Sequence, residues 1–296
     1  MKPAPFNLHL PRTVPEVLHL LGQADNARVI AGGQSLMPML NMRLALPDDV
    51  IDLNGVDGLS HIRDEGDTIA IGAMTRQREI EFSDVVARRL PVMRAGVLNV
   101  GHRQTRNRGT LGGSLCHLDP SAELPTVCML HDAELVIQRE GQGDEGRRVV
   151  PMADFGQGFM STCVAPDELL TEVRIRPWGP AHGWHFIEFA RRHGDFAVVS
   201  AAALIERDAA GAVARAALVL GGIDAAPVRL PAAEAILVGT RCEDEALRAA
   251  ADVAARCETL DDPAYPSWYR QRLASRLLQT AIRGAWTRAA EASGRM

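Results

Sequence analysis

Two pairs of adjacent glycines, far apart in the sequence, are the residues with the clearest chemical use. Gly32 and Gly33 follow a short apolar stretch, and the polar side chains of Gln34 and Ser35 come next. Adjacent glycines let the backbone turn sharply and approach a ligand closely, and successive N–H groups in such a turn form a concave anion site. The pattern indicates a phosphate-binding turn, and an ordinary strand-to-helix turn is the alternative.

The second pair, Gly112 and Gly113, is flanked by the hydroxyl residues Thr110 and Ser114. Four basic residues precede it: His102, Arg103, Arg106 and Arg108. The arginines lie either near phosphates, at a partner surface or on a solvated face of the loop. Two such turns suit the two adjacent phosphates of a dinucleotide, with backbone donors from two directions. Neither turn matches GxGxxG or GxxxxGK[ST], so a Rossmann or Walker site has no support.

Composition excludes several classes of function. The 296 residues carry a net charge of −5 with a pI near 6.0, which argues against a nucleic-acid binder. The five cysteines are odd in number and none has CxxC spacing, so we expect free thiols in a reducing compartment. The chain starts without an apolar stretch, and we expect no signal peptide, no membrane span and a cytoplasmic location.

The elements that must position the two turns follow from periodicity and capping signals. Thr13 and Glu16 have capping-box spacing, with Pro15 in the first helical turn. The pattern predicts strands at 28–31, 50–53, 68–72, 133–138, 148–150, 197–205 and 212–220, the last two forming a hairpin. It predicts helices through 79–80, over 85–97 with a break near Pro91, and over 243–256 and 267–290. Residues 101–113 are expected to be a loop, and residues 141–146 a turn-rich tip.

Composition changes near residues 55 and 178, where we place two boundaries. Helices and strands alternate in the first two parts, whereas the third has strands followed by helices, an α+β pattern. His182 and His185 have i, i+3 spacing, but Gly183 and Trp184 between them favour a surface turn over a metal-binding helix.

Three stretches of sequence resemble a known family: AGGQSLMP at 31–38, TLGGSLCHLDPSAELP at 110–125 and RRHGDFAVVS at 191–200. They are similar to the FAD-binding medium subunit of the molybdenum hydroxylases, of the carbon monoxide dehydrogenase, quinoline oxidoreductase and nicotine dehydrogenase types, and to the FAD domain of xanthine dehydrogenase. The resemblance extends over almost the whole chain.

The resemblance implies a mixed α/β, α+β fold. A two-part vanillyl-alcohol-oxidase-type FAD-binding domain would have an N-terminal subdomain at 1–55 and a middle subdomain at 56–177. A C-terminal α+β domain of the carbon monoxide dehydrogenase flavoprotein type would follow at 178–296.

The resemblance also implies roles for individual residues. The first turn of the family's pyrophosphate site corresponds to Ala31, Gly32, Gly33, Gln34, Ser35 and Leu36, and the second to Thr110, Gly112, Gly113 and Ser114. Val100 matches a cofactor contact and Glu123 an acidic position that hydrogen-bonds the adenosine end. Leu170 matches an apolar position near the flavin, with Leu169 an equal candidate by register. Phe186 is either an aromatic against the isoalloxazine ring or a core strand residue.

The activity implied by the resemblance is electron relay. A large molybdenum-cofactor (molybdopterin) subunit would hydroxylate the substrate, such as an N-heterocycle, aldehyde or purine. A small subunit with [2Fe-2S] clusters would pass electrons to FAD in this chain, for delivery to an external acceptor. FAD would be the only cofactor here, with no metal and no catalytic residue, and an (αβγ)2 heterohexamer is the family norm.

Two alternatives remain at this point. One is a stand-alone FAD reductase of the same fold that uses NADPH. The other is a non-catalytic assembly module with degenerate cofactor loops, against which both intact glycine turns argue.

Overall fold

The chain forms three main β-sheets with helices packed against each of them. This computed structural model describes residues 1–141 and 146–293. Each sheet occupies its own segment of the sequence, from the N-terminus to the C-terminus. The two glycine turns lie in the first and second of these segments.

The N-terminal segment is a small parallel sheet with two helices. Its elements are β1 (Asn7–His9), α1 (Val14–Gln23), β2 (Ala27–Ile30), α2 (Leu36–Asn41) and β3 (Asp49–Asp52). The strand order is β1-β3-β2, and both pairs are parallel. The hydroxyl of Thr13 accepts from the N–H of Glu16 at 3.4 Å, so the predicted helix start is confirmed.

The middle segment is built on a five-stranded sheet in which every neighbouring pair is antiparallel. Its strands are β4 (Ile62–Asp64), β5 (Ile69–Gly72), β6 (Glu134–Arg139), β7 (Arg147–Pro151) and β10 (Glu168–Ile175), in the order β4-β5-β10-β6-β7. A small hairpin of β8 (Gly156–Gly158) and β9 (Ser161–Thr162) precedes β10. Strand β10 closes the sheet between β5 and β6, far from either in sequence.

Six short helices connect β5 to β6. They are α3 (Gln77–Phe82), α4 (Asp84–Arg89), α5 (Pro91–Asn99), α6 (Arg103–Arg108), α7 (Leu111–His117) and α8 (Glu123–Leu130). The predicted break near Pro91 is confirmed. The prediction of a loop over 101–113 is wrong, because α6 and the start of α7 lie there. Buried Arg106 explains α6: its Nε donates to Glu81 at 2.8 Å, a tertiary contact with no signal in the local pattern.

The C-terminal segment is an antiparallel sheet covered by helices. Its elements are β11 (His182–Phe189), β12 (Val199–Arg207), β13 (Val213–Gly221), β14 (Val228–Arg229), α9 (Pro231–Leu237), α10 (Asp244–Ala255) and α11 (Ser267–Ser293). The order is β11-β12-β13-β14, with β12 and β13 paired as the predicted hairpin. Helix α11 packs along β11 and β12.

Both faces of the C-terminal sheet are buried. Ala202 and Leu204 of β12 face the core shared with the middle segment, whereas Ala203 and Ile205 face α10 and α11. Alternate residues of a strand point to opposite faces, so this division fixes the direction of every side chain in the sheet. The even-numbered residues of β11 and β12 therefore point toward the middle segment.

The expectation of a surface turn at His182 and His185 is wrong. Both histidines belong to β11, and residues three apart in a strand point to opposite faces, so they cannot share a metal. Among the described residues, no group of three His, Cys, Asp or Glu side chains is placed to hold a metal ion. Most of the predicted tip at 141–146 lies outside the described residues.

No helix in the described ranges is both long and apolar enough to cross a membrane. All five cysteines are free thiols.

The buried imidazole of His131, just after α8, predicts a loss of stability in acid. Burial, with the nearby positive charges of His182, Arg215 and Arg229, lowers its pKa to about 3 from an ordinary 6.5. Neither ring nitrogen has a hydrogen-bond partner within residues 1–141 and 146–293. As pH falls below 6.5 the unfolded chain binds a proton here and the folded chain does not, until pH reaches about 3.

Replacing His131 by phenylalanine should therefore flatten the fall in unfolding free energy between pH 6.5 and 3. The removed slope approaches about 1.4 kcal/mol per pH unit. Denaturant titrations at several pH values measure it. Val127→Ala, a buried change one turn earlier in α8 that cannot titrate, should lower stability equally at every pH. Identical pH slopes for wild type and His131→Phe would contradict this reading.

Candidate functional site

The first glycine turn presents a row of unused backbone donors between β2 and α2. Gly33 has φ of +71°, a conformation that glycine adopts without strain. Within residues 1–141 and 146–293, the N–H groups of Gly32, Gly33, Gln34 and Ser35 donate no hydrogen bond. Successive free N–H groups in a sharp turn are a site for an anion such as a phosphate. The geometry favours the ligand-binding interpretation over an ordinary turn.

The second glycine turn lies directly against the first. A Cβ on Gly32 would stand 2.2 Å from the carbonyl oxygen of Arg108 and 2.8 Å from Cα of Gly109. A Cβ on Gly113 would stand 3.6 Å from Cβ of Ala31. Such distances leave no room for a side chain at Gly32. The two turns, about 80 residues apart in sequence, thus form one surface.

Two polar side chains hold the turns together, through contacts that no motif or periodicity predicted. The amide nitrogen of Asn54 donates to the carbonyl oxygen of Ala31 at 2.9 Å. The guanidinium of Arg76 donates both to the side-chain oxygen of Asn54 and to the carbonyl oxygen of Arg108. Burial, followed by repulsion from Arg108, lowers the pKa of Arg76 below its usual range. We name Asn54 and Arg76 the Asn–Arg latch.

Most backbone donors of the second turn are used inside the protein. The N–H groups of Leu111 and Gly112 donate to Thr75 and Ala73, and that of Gly113 donates to the Thr110 hydroxyl at 3.0 Å. The expectation of backbone donors from both turns therefore needs correction. The second turn contributes a close-packed wall, while the first contributes the free N–H groups.

Residues 100–108, which precede the second turn, are held in place by contacts of α6 and by a loop of the C-terminal segment. Arg106 donates to the carbonyl oxygen of Val100 at 3.1 Å, so it serves the fold and not a phosphate. A Cβ on Gly194 would stand 2.3 Å from the ring of His102. The loop between β11 and β12 therefore closes against the segment that follows Val100. This contact also had no signal in the sequence.

A second group of predicted residues lies where α5, α8 and β11 meet. Glu123 begins α8, and Phe186 lies in β11. Gly96 of α5 lies beside both, because a Cβ on Gly96 would stand 3.9 Å from Cβ of Glu123 and 3.9 Å from the Phe186 ring. Phe186 is buried within the core, which agrees with the core-strand alternative. Helix α7, which starts at the second turn, packs on α8 and connects the two groups.

Glu123 is a buried acid whose environment disfavours its charge. Burial, with the nearby carboxyl groups of Glu188 and Asp119, raises the pKa of Glu123 to about 8. Burial likewise raises the pKa of Glu188, in β11, to about 7. Glu188 was not among the predicted site residues, although an acid two residues after Phe186, on the inward-pointing face of the same strand, is an available signal.

Leu169 and Leu170 lie on opposite faces of β10. Leu169 packs with the core of the N-terminal segment, and Leu170 packs in the core of the middle segment, on which α7 lies. Both side chains are buried. Leu36 begins α2 directly after the free donors, and Ser114 lies within α7.

The site thus combines the first glycine turn, whose N–H groups are available to an anion, with the second turn in contact with it. Helix α7 links the second turn to a buried polar region around Glu123. An anion site extended by a polar region fits the phosphates and the uncharged remainder of a dinucleotide. The fold and site define a dinucleotide-binding protein. Its N-terminal and middle segments together carry the site, and a C-terminal α+β segment follows them.

Comparison with known proteins identifies the family. Residues 4–178 match the FAD binding domain in molybdopterin dehydrogenase, and residues 184–285 match the CO dehydrogenase flavoprotein C-terminal domain. The caffeine dehydrogenase subunit beta of Pseudomonas sp. (strain CBB1) is 37% identical, covering 95% of each chain. The carbon monoxide dehydrogenase medium chain of Hydrogenophaga pseudoflava is 33% identical, covering 98% of this chain and 100% of that one. Quinoline 2-oxidoreductase from Pseudomonas putida 86 superposes with a TM-score of 0.92 at 33% identity, over 98% of this chain and 99% of that one.

The chain belongs to the family of FAD-binding medium subunits of molybdopterin dehydrogenases. It is an oxidoreductase subunit, its cofactor is FAD, and the predicted fold class is confirmed. The division at residues 55 and 178 and the role of each site residue stay predictions.

Proposed function

We propose that this chain is the electron-relay subunit of a molybdenum hydroxylase complex and that the two glycine turns hold FAD. The observation that carries the proposal is the row of N–H groups from Gly32 to Ser35, which have no acceptor among the described residues and are braced by the second turn. Four fixed donors suit the negative charge of a diphosphate. Bound FAD supplies the redox chemistry, because it exchanges electrons one or two at a time.

The chain's own residues would bind and orient the cofactor. The first turn would donate to phosphate oxygens. Thr110 and Gly113 keep the second turn closed through their own hydrogen bond. Leu36, Val100, Gly112, Ser114, Leu170 and Phe186 belong to the proposed site by their match to the family, as do Ala31 and Glu123. No general acid or base of this chain is required.

The proposed partners are a large molybdenum-cofactor subunit and a small [2Fe-2S] subunit, with an (αβγ)2 assembly. Relatives are named as medium chains or as lettered subunits of dehydrogenases, which supports partner chains. Electrons would enter from the [2Fe-2S] subunit and leave to an external acceptor. The five free thiols favour a reducing compartment, and we place the complex in the cytoplasm.

An absorption spectrum and acid extraction of the natively purified complex test the function. We expect about one FAD per copy of this chain, identified by the mass of the released cofactor, together with iron–sulfur absorbance from a co-purified small subunit. FMN alone, or no flavin, would overturn the proposed cofactor site. A chain that purifies alone from a native lysate and oxidises NADPH would favour the stand-alone reductase instead.

A further inference from the structure

Helix α11 concentrates positive charge in a chain that is acidic as a whole. Residues 267–293 contain five arginines and one acid, Glu291, whereas the chain has a net charge of −5. Arg270 and Arg288 donate to backbone carbonyl groups of the C-terminal segment, so they serve the fold. Three arginines of the helix have no such role: Arg272, Arg276 and Arg283.

These three arginines form one exposed stripe with Trp268. Positions 268, 272, 276 and 283 are spaced by four, four and seven residues, which places them on the same face of a helix. All four side chains are exposed, and the Trp268 side chain is 62% exposed. At 1.5 Å per residue the stripe is roughly 22 Å long. We name these four residues the Trp–Arg stripe; the opposite face of α11 packs in the core of the C-terminal segment.

The positive charge of the stripe is poorly neutralised by the chain itself. The side chains of Arg272 and Arg276 make no hydrogen bond or ion pair with any residue in the ranges 1–141 and 146–293. Arg283 pairs with Asp244 at 2.7 Å, but both side chains are more than half exposed, and such pairs stabilise a protein little. Arg272 and Arg276 are also one helical turn apart, a spacing at which like charges disfavour the helix. A partner that carries carboxylates would offset this repulsion.

A polar groove of about 790 Å³ lies along the stripe. Arg276 and Arg283 line it together with Gln279 and Thr287 of the same helix, and His185 of β11 borders it. The groove thus presents guanidinium, amide and hydroxyl groups. Guanidinium groups bind carboxylates with two parallel hydrogen bonds, which gives this lining a preference for acidic side chains.

The composition of the stripe distinguishes between classes of partner. Tryptophan and arginine are enriched among the residues that contribute most of the binding energy at protein interfaces. A single-stranded nucleic acid stacks its bases on several aromatic rings, whereas the stripe has one, and Asp244 beside it repels phosphates. A membrane surface requires an apolar helix face, which three arginines exclude. An acidic protein surface with a pocket for the Trp268 indole fits best.

We propose that the Trp–Arg stripe is the docking surface for a carboxylate-rich face of another subunit of the complex. The inference rests on the proposed function, which supplies the partner chains, and it names the surface that one of them covers. The arginines hydrogen-bond the partner's carboxylates, and Trp268 is the apolar anchor. Attraction between the basic helix and the acidic partner also speeds association, and salt screens it.

Charge reversal by Arg276→Glu tests the surface in the full complex. The dissociation constant between this chain and the remaining subunits should rise roughly tenfold or more, because a carboxylate would face carboxylates. The FAD content should stay unchanged, since the stripe lies outside the segments that carry the glycine turns. Arg88→Glu is the matched control, because Arg88 is also an exposed helical arginine without a hydrogen bond or ion pair among the described residues. It should leave the subunit affinity unchanged.

Cross-linking identifies the partner's acids directly, because the chain contains a single lysine, Lys2. Arg276→Lys keeps the positive charge and introduces an amine, and a carbodiimide joins an amine to a carboxylate only where the two are in contact. Mass analysis of the treated complex should find position 276 linked to an aspartate or glutamate of another subunit. Arg88→Lys should give no such link.

Unchanged subunit affinity in Arg276→Glu, or links from position 276 only to acids of this chain, would overturn the proposal. Binding of a labelled single-stranded DNA that is lost in Arg276→Glu, with unchanged subunit affinity, would overturn it in favour of a nucleic-acid surface. A wild-type chain that purifies from its native host without any partner subunit would instead contradict the proposed function itself, so the two failures are distinguishable.

Discussion

Replacing Gly32 by alanine should abolish FAD retention while leaving the rest of the chain folded. The new Cβ would stand 2.2 Å from a carbonyl oxygen and 2.8 Å from a Cα of the second turn, and neither atom can rotate away as a side chain can. The two turns must separate by roughly an ångström to reach ordinary contact. A misplacement of about 1 Å can cost on the order of a hundredfold in the rate of a reaction that depends on oriented groups, and we expect a loss of FAD affinity of about that size.

The measurement is the FAD content of the purified complex and the FAD dissociation constant after depletion, with circular dichroism to confirm the fold. Gly22→Ala is the matched control in the same segment, because its Cβ would meet only the flexible end of Glu140 at 3.3 Å. A Gly32→Ala complex that retains one FAD per chain would refute the assigned contact between the turns.

Replacing Gly183 by alanine should destabilise the C-terminal segment strongly without touching the cofactor site. The added Cβ would stand 1.8 Å from the carbonyl oxygen of Ala285, so β11 and α11 would have to move apart. Overpacking costs 1–3 kcal/mol and sometimes more, and a clash with helix backbone on a long packed contact should reach at least about 3 kcal/mol. For a domain of this size the melting temperature should fall by roughly 6–12 °C.

Calorimetry of the two variants Gly183→Ala and Gly179→Ala isolates the effect. Gly179 is close in sequence, but its added Cβ would meet only the Glu206 side chain at an ordinary 3.5 Å. The control should melt with the wild type. Equal melting temperatures for wild type and both variants would show that β11 and α11 do not approach closely enough at Gly183 to exclude a methyl group.

The sequence pattern was sufficient to predict those elements whose stabilising interactions are made by residues close in sequence. Thr13 caps α1 by its own hydroxyl, and Pro91 separates α4 from α5, so the pattern alone located both. The glycine pairs were equally visible, because the conformation that they permit is a property of the residue itself. Apolar periodicity, which is also a local signal, located most of the strands and the long helices, and the first glycine pair located the anion-binding turn.

Features that depend on contacts between residues far apart in sequence could not be predicted from the sequence pattern. Helix α6 has no apolar periodicity and forms because Arg106 reaches Glu81 and Val100. The use of the Leu111 and Gly112 N–H groups by Thr75 and Ala73 is likewise a tertiary event. The burial of Glu188 and Ser200 required the C-terminal sheet to be placed on α8. Apart from Val100, each deciding partner lies more than 20 residues away in the sequence.

The Asn–Arg latch has a consequence for how the cofactor is acquired. Asn54 and Arg76 hold Ala31 and Arg108 in place through bonds made within the protein, so the donors are oriented before any ligand arrives. The conformational entropy of ordering the two turns is then lost during folding and not during binding. Such preorganisation makes uptake of FAD a late and nearly rigid event. Amide hydrogen exchange at Leu111 and Gly112, whose N–H groups donate to Thr75 and Ala73, should consequently be slow already in the flavin-free chain.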